Sequence, residues 1–182
     1  MNLWFRLMAL LLTRPWRRPV GGLDTTVVRM RVWPSDLDLN RHVTNGRYFN
    51  MADIGRMDYI VRSGAFRVAL RHKAAPIVGD VWGKFRRELR LFEQFEIHTR
   101  MLAWDDKWTF MEHRFVRHGR VVGVVVMRGL FRAPGALVPP AAFAKEMGID
   151  PQSPPLPQWL ATWSASCDAQ SQALRDEESV SR

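Results

Sequence analysis

The order of apolar patterns along this chain predicts an α+β domain in which an antiparallel sheet wraps around one central helix. Three observations carry that expectation. A helix-period stretch from Asn45 is apolar around most of its circumference, through Tyr48, Met51, Ala52, Ile54, Gly55, Tyr59, Ile60 and Val61. Such a helix has to be enclosed rather than laid on a surface. Four strand-like runs follow it, 77–91, 95–104, 108–117 and 121–132, separated by short turn signals. The 182 residues, 47% of them hydrophobic, suffice for one domain with a real core and are few for two.

Residues 1–22 form a segment of their own, with Trp4, Phe5, Leu7, Met8 and Leu10 to Leu12 among Arg6, Arg14, Arg17 and Arg18, and without an acidic residue. Interrupted by Arg6 and ended by Pro15, it is too short for a hydrocarbon layer of about 30 Å, which needs about 20 apolar residues. It reads as a basic amphipathic helix that lies in a membrane interface, packs on the domain, or serves as a targeting peptide; a small-residue cleavage site is missing.

The folded domain is expected over residues 23–135. Thr25 to Val32, rich in β-branched residues, is the first strand. A loop follows, then the central helix, closed by Ser63 and Gly64. Asp105-Asp106 and His118-Gly119 read as hairpin turns, so the four later strands are expected as an antiparallel meander. Phe95, Ile97, Thr99 and Met101 alternate with Glu96, His98 and Arg100, which defines two faces. Residues 136–182 are a proline-punctuated connection and a terminal helix over 158–178, with a polar, frayed end from Asp176 to Arg182.

A net charge of +9 and a pI near 10.9 draw polyanions: a nucleotide-bearing thioester, an anionic membrane or nucleic acid. Nucleic acid is disfavoured because no basic stretch is interleaved with exposed aromatics and no docking motif is present. The single cysteine, Cys167, excludes an internal disulfide framework and fits a reducing, cytoplasmic setting. It lies in a helical stretch without a nearby histidine and reads as an inert packed thiol. His72, His98, His113 and His118 lack metal-ligand spacing, so neither a metal nor another cofactor is expected.

The chemistry is concentrated between Trp33 and Tyr48, where Asp36, Asp38, Asn40, His42, Asn45 and Tyr48 fall within thirteen positions. A strand or an ordinary surface helix has no use for so many polar groups, each costly to bury unpaired. Asp36 can serve as a loop-bonding carboxylate, Asn45 as a helix cap, Tyr48 as a core aromatic and His42 as a loop-fixing histidine.

The pattern D-x-D-x-x-x-H-V-x-N-x-x-Y resembles the active-site signature of hotdog-fold thioesterases related to 4-hydroxybenzoyl-CoA thioesterase, and D-L-D-x-N-x-H is similar to acyl-ACP thioesterases. The likeness is greatest to the type called thioesterase superfamily member six. It continues through P-S-D-L-D-L, M-A-D-I-G-R-M-D-Y-I-V-R-S-G, R-R-E-L-R-L-F-E-Q-F-E-I-H-T-R and L-A-W-D-D-K-W-T-F-M-E-H-R-F-V, from Asp24 onward.

The resemblance implies the hotdog fold, a homodimer, and hydrolysis of an acyl-CoA or acyl-carrier thioester, a step of lipid metabolism. Asp38 would be the nucleophile or general base, the backbone around Asn45 the oxyanion donor, His42 and Asn40 the orienting pair, and Tyr48 and Asp36 substrate-side residues. One position departs from the pattern: Arg41 stands where the superfamily commonly has glycine before the histidine. A catalytically weak acyl-binding or membrane-associated relative, in contact with a membrane through residues 1–18, is the alternative expectation.

Overall fold

The computed structural model describes residues 3–13 and 16–180. The expected end of the first helix at Pro15 and the basic residue Arg14 lie outside the described residues, as do residues 181–182 of the tail. A first helix, α1 (Leu3–Thr13), precedes strand β1 (Thr26–Arg31), and the central helix α2 (Asn45–Arg62) follows the motif loop. A short α3 (Ala65–Arg71) leads into β2 (Ala75–Phe85), β3 (Gln94–Trp104), β4 (Thr109–Arg117) and β5 (Arg120–Ala133). The short β6 (Ala136–Val138), α4 (Pro140–Glu146) and the long α5 (Gln158–Val180) complete the chain. Among the described residues no helix is long and apolar enough to cross a membrane.

The sheet runs β1-β3-β4-β5-β2, with β6 on β5, and every pairing is antiparallel. This corrects the expected four-strand meander. Only β3, β4 and β5 form one, while β2 crosses over and pairs with β5 rather than β3. The run expected to continue to Leu91 stops at Phe85. Residues 86–93 leave the sheet and cross the mouth of the domain, where Arg86 and Arg87 donate backbone N–H groups to the Val122 carbonyl at 2.8 and 3.0 Å.

Helix α2 is enclosed as its pattern demands: Tyr48, Met51, Ala52, Ile54, Gly55, Tyr59 and Ile60 are buried. It approaches the sheet closely at Gly55, where a Cβ would stand 2.5 Å from Thr99 Oγ1 and 3.0 Å from an Ile97 methyl. Only glycine permits that spacing without displacing β3. The two larger core clusters lie along α2. One gathers Tyr48 and Met51 against Phe95, Ile97, Phe115 and Val125. The other gathers Tyr59 and Ile60 against Met111, Met127 and Phe143.

Helix α5 covers part of the outer face of the sheet, with Leu160 on Phe110 and Val126. The fully buried Arg128 fastens it. Its guanidinium donates to Asp80 at 2.5 Å, to the Ser164 carbonyl at 3.0 Å and to Asp168 at 2.9 Å, and lies over the Trp108 ring. Those partners replace the water a buried cation gives up. Cys167 on the same helix is buried, and burial pushes its thiol pKa up, so it is not poised as a nucleophile.

The two sheet edges differ. Strand β1 is flanked by α1, whereas β2 is an edge strand on which Ile77, Val78, Val81, Trp82 and Phe85 are each 37–44% exposed.

Candidate active site

The motif loop runs from Val32 to Thr44 and is held by backbone bonds rather than by regular structure. Pro34–Asp36 forms one 3₁₀ turn, and Leu37 pairs with Val43 across the loop. The crossing segment stitches it to the body: Val43 N–H donates to the Leu89 carbonyl at 2.9 Å, and His42 bridges Arg90.

Within this frame the two motif acids meet different environments. Asp36 is fully buried. Its Oδ2 accepts the Trp33 N–H at 2.9 Å and an Arg6 guanidinium N–H at 2.5 Å. Its Oδ1 has no hydrogen-bond donor and instead faces the Arg47 guanidinium at 3.7 Å. Asp36 is therefore the anchor that shapes the loop, and a substrate cannot reach it. Arg6 was not legible as a partner, because a lone charge in an apolar helix reads as an interruption.

Asp38 is accessible, its side chain 31% exposed. Its Oδ1 accepts the Asn40 N–H at 2.9 Å, and its Oδ2 lies 3.4 Å from Nδ1 of the half-exposed His42. Loop backbone closes around the pair, with Asp38 N–H donating to the His42 carbonyl at 3.0 Å. Between them Arg41 adopts φ 63°, the left-handed conformation that glycine takes without strain. The loop thus keeps the backbone shape associated with glycine although the side chain has changed.

Asn45 opens α2 directly after the loop, and the N-cap is Thr44 rather than Asn45. Thr44 makes no side-chain capping bond. The N–H groups of Asn45 and Gly46, in the first turn, have no intrahelical carbonyl to bond and carry the positive end of the helix dipole. Asp38, Asn40 and His42 are thus brought together on one accessible rim, and the exposed Asn45 follows at the start of α2.

Tyr48 is not part of that rim. It is 2% exposed and packs its ring on Phe85 and Phe115 with centroids 5.0 and 4.9 Å away. Burial raises its phenol pKa to about 12. Both side chains expected on the substrate side, Tyr48 and Asp36, are buried in the single chain.

Two further features were not picked out in the sequence. Exposed Arg86, Arg87 and Arg90 gather on the crossing segment beside the motif loop. An apolar cleft of about 200 Å³ runs along α2 past Phe49, Ala52 and Arg56, walled by Val78 and Val81 of β2 and by Val125 and Met127 of β5. At its floor His113 is buried, its Nδ1 2.9 Å from Thr99 Oγ1, and burial lowers its pKa to about 3. A more enclosed apolar cavity lies farther along α2, around Tyr59, Met101, Met111 and Phe143, away from Asp38. Neither cavity includes Asp38 or His42, whose rim lies open in the single chain.

The chain was compared with known proteins. Residues 32–164 match the thioesterase-like superfamily. Protein THEM6 of Xenopus laevis is 35% identical over 154 residues, covering 82% of this chain and 72% of that protein. Protein THEM6 of Danio rerio is 34% identical over 158 residues, covering 85% and 76%. Among solved structures, the YbaW probable thioesterase from Escherichia coli superposes with a TM-score of 0.62 at 19% identity, over 66% of this chain and 94% of that one. A 4-hydroxybenzoyl CoA thioesterase variant complexed with 4-hydroxybenzoyl CoA gives 0.60 at 14% identity, over 68% and 97%. The α+β architecture with its sheet curled about α2 is the hotdog fold of these structures.

Proposed function

Because this chain belongs to the thioesterase-like superfamily, we propose that it hydrolyses an acyl-CoA thioester to the free acid and CoA, with Asp38 as nucleophile or general base. The single observation that carries the assignment of Asp38 is its contrast with Asp36. Of the two motif acids, only Asp38 presents a carboxylate to solvent, in the loop that leads into α2.

As a base, Asp38 takes a proton from water as the oxygen attacks the carbonyl carbon. The carbonyl electrons move onto oxygen, facing the Asn45 and Gly46 N–H groups, and collapse of the intermediate breaks the C–S bond. As a nucleophile, the carboxylate attacks directly, the thiolate leaves, and water then cleaves the mixed anhydride. In both routes His42 orients the carboxylate or moves a proton to the departing sulfur, and Asn40 fixes the carboxylate through its backbone.

The cleft along α2 supports an acyl group as the apolar half of the substrate, and Arg86, Arg87 and Arg90 support a phosphate-bearing half. The 4-hydroxybenzoyl CoA carried by the thioesterase variant of the same fold has both halves. The unpaired edge of β2, with apolar side chains on both faces, supports a homodimer joined along that edge, whose second copy roofs the open rim.

The test is thiol release by the purified protein from short, medium, long and aromatic acyl-CoAs, with Asp38→Asn alongside. Turnover is expected to fall by about a hundredfold or more in the variant, with the thermal midpoint kept. No release from any substrate by the folded wild type would leave an acyl-binding relative without the chemistry.

A further inference from the structure

We propose that the outer face of α1 docks on an anionic lipid bilayer, its aromatic and aliphatic side chains entering the interface while the groove between α1 and β1 receives lipid phosphate. This goes beyond thioester hydrolysis and does not depend on it.

Helix α1 is amphipathic in the wrong sense for a surface in water. Its sequence LWFRLMALLLT holds one charged residue, Arg6, and that residue is 8% exposed. Trp4, Phe5, Met8 and Leu12 are 69%, 67%, 51% and 67% exposed, and Trp16 just beyond is 80% exposed. Scattered exposed hydrophobes are ordinary, but a contiguous set along one helix marks an interaction site.

Nor can the helix roll over to hide them. Arg6 is held inward by the Asp36 carboxylate and the Arg31 carbonyl, and Leu10 is seated on Val28 and Ile54. Rolling would take from buried Asp36 its hydrogen-bonded guanidinium and leave it only Arg47 at 3.7 Å, a loss larger than the gain from covering a few side chains. The outward aromatic face is thus fixed by the same contact that shapes the motif loop.

Charge selects the occupant. Beside α1 runs a groove of about 230 Å³ lined by Arg17, Arg29, Arg31 and Trp33. Arg17 and Arg29 already face Asp58 and Glu96. Arg18 and Arg31 are exposed and enter none of the ion pairs found among the described residues. An apolar face bordered by free cations fits the lipid boundary, where rings sit at headgroup level and guanidinium groups meet phosphate. A second copy seated on this face would bring its own Arg18 and Arg31 against the same cationic rim and is disfavoured here. Since Trp33 lies in the motif loop and lines this groove, docking would hold that loop at the membrane surface.

The experiment is co-sedimentation of the full chain with vesicles of phosphatidylcholine alone or with phosphatidylglycerol added, paired with light scattering. The wild type should sediment with the anionic vesicles. Replacing Trp4, Phe5 and Met8 together by serine should lower partition about tenfold or more. The pair Arg18→Ser and Arg31→Ser should lower it by roughly fivefold for each charge, and on anionic vesicles only. All substituted side chains are exposed, so thermal midpoints should hold. A wild type that stays in solution with both vesicles, or a triple variant that partitions equally, would overturn the proposal. So would a triple variant whose only change is a smaller mass in light scattering, which would give the face to a second copy.

Discussion

Asp36 and Asp38 stand two residues apart and present the same functional group, yet one is sealed against Arg6 while the other reaches solvent beside His42. The difference teaches how a short loop divides its work. A buried carboxylate with a guanidinium partner fixes backbone position, and an exposed one two residues on is then held where a reaction can use it. On the proposed reading the sealed acid is worth stability and the open one chemistry, so substitutions should separate along that line.

The largest effect is expected on the sealed side. Arg6→Ala strands a buried carboxylate and should lower unfolding stability by about 3–5 kcal/mol, read by denaturant titration. Asp38→Asn, by contrast, should leave that titration unchanged while removing turnover. If both variants lowered stability alike, the two acids would share one structural role.

Buried His113 extends the comparison to histidines, since His42 is accessible and His113 is not. Its folded-state pKa of about 3 lies below the ordinary 6.5 because burial favours the neutral ring. The unfolded chain therefore binds a proton that the native state refuses. The stability contributed by the neutral buried ring is fully present above pH 6.5 and is lost as pH falls from 6.5 toward about 3. The slope should approach about 1.4 kcal/mol per pH unit. His113→Gln should flatten that part of the pH profile, leaving only the carboxylate contribution.

The smallest effect concerns the open side. Arg41→Gly relieves a left-handed residue and should raise stability by about 1 kcal/mol with thioester turnover kept. A fall in stability would mean that the Arg41 side chain, rather than its backbone, holds the loop.

Much of this was legible in residue order, and the misses share a cause. The enclosed helix and the strands of the β3-β4-β5 meander follow from local periodicity. The segment Arg86 to Glu93 alternates polar and apolar residues like a strand, but it bonds only to the Val122 carbonyl at a register shift in β5 and to Val32 beside the motif loop, not to a strand along its length. No local pattern could place it, or set β2 beside β5. Helices α3 and α4, seven residues each, are too short to show a helical period. The grouping of Asp38 with Asn40 and His42 was readable because their spacing is local. The loop bond of Asp36 was readable as well, but its ion pair was not, because Arg6 lies thirty residues earlier. Nor was the left-handed turn at position 41, whose usual signal is a glycine that this chain lacks.

The bare edge of β2 also has a consequence in time. A newly made chain finishes its own sheet with an apolar strand edge still unpaired, and every encounter before the proposed homodimer forms can instead recruit some other extended segment. Dilution lengthens that interval for the right encounter, and crowding with unfolded chains shortens it for the wrong one. Yield of this protein should therefore be set less by how fast its core closes than by how soon each copy meets another.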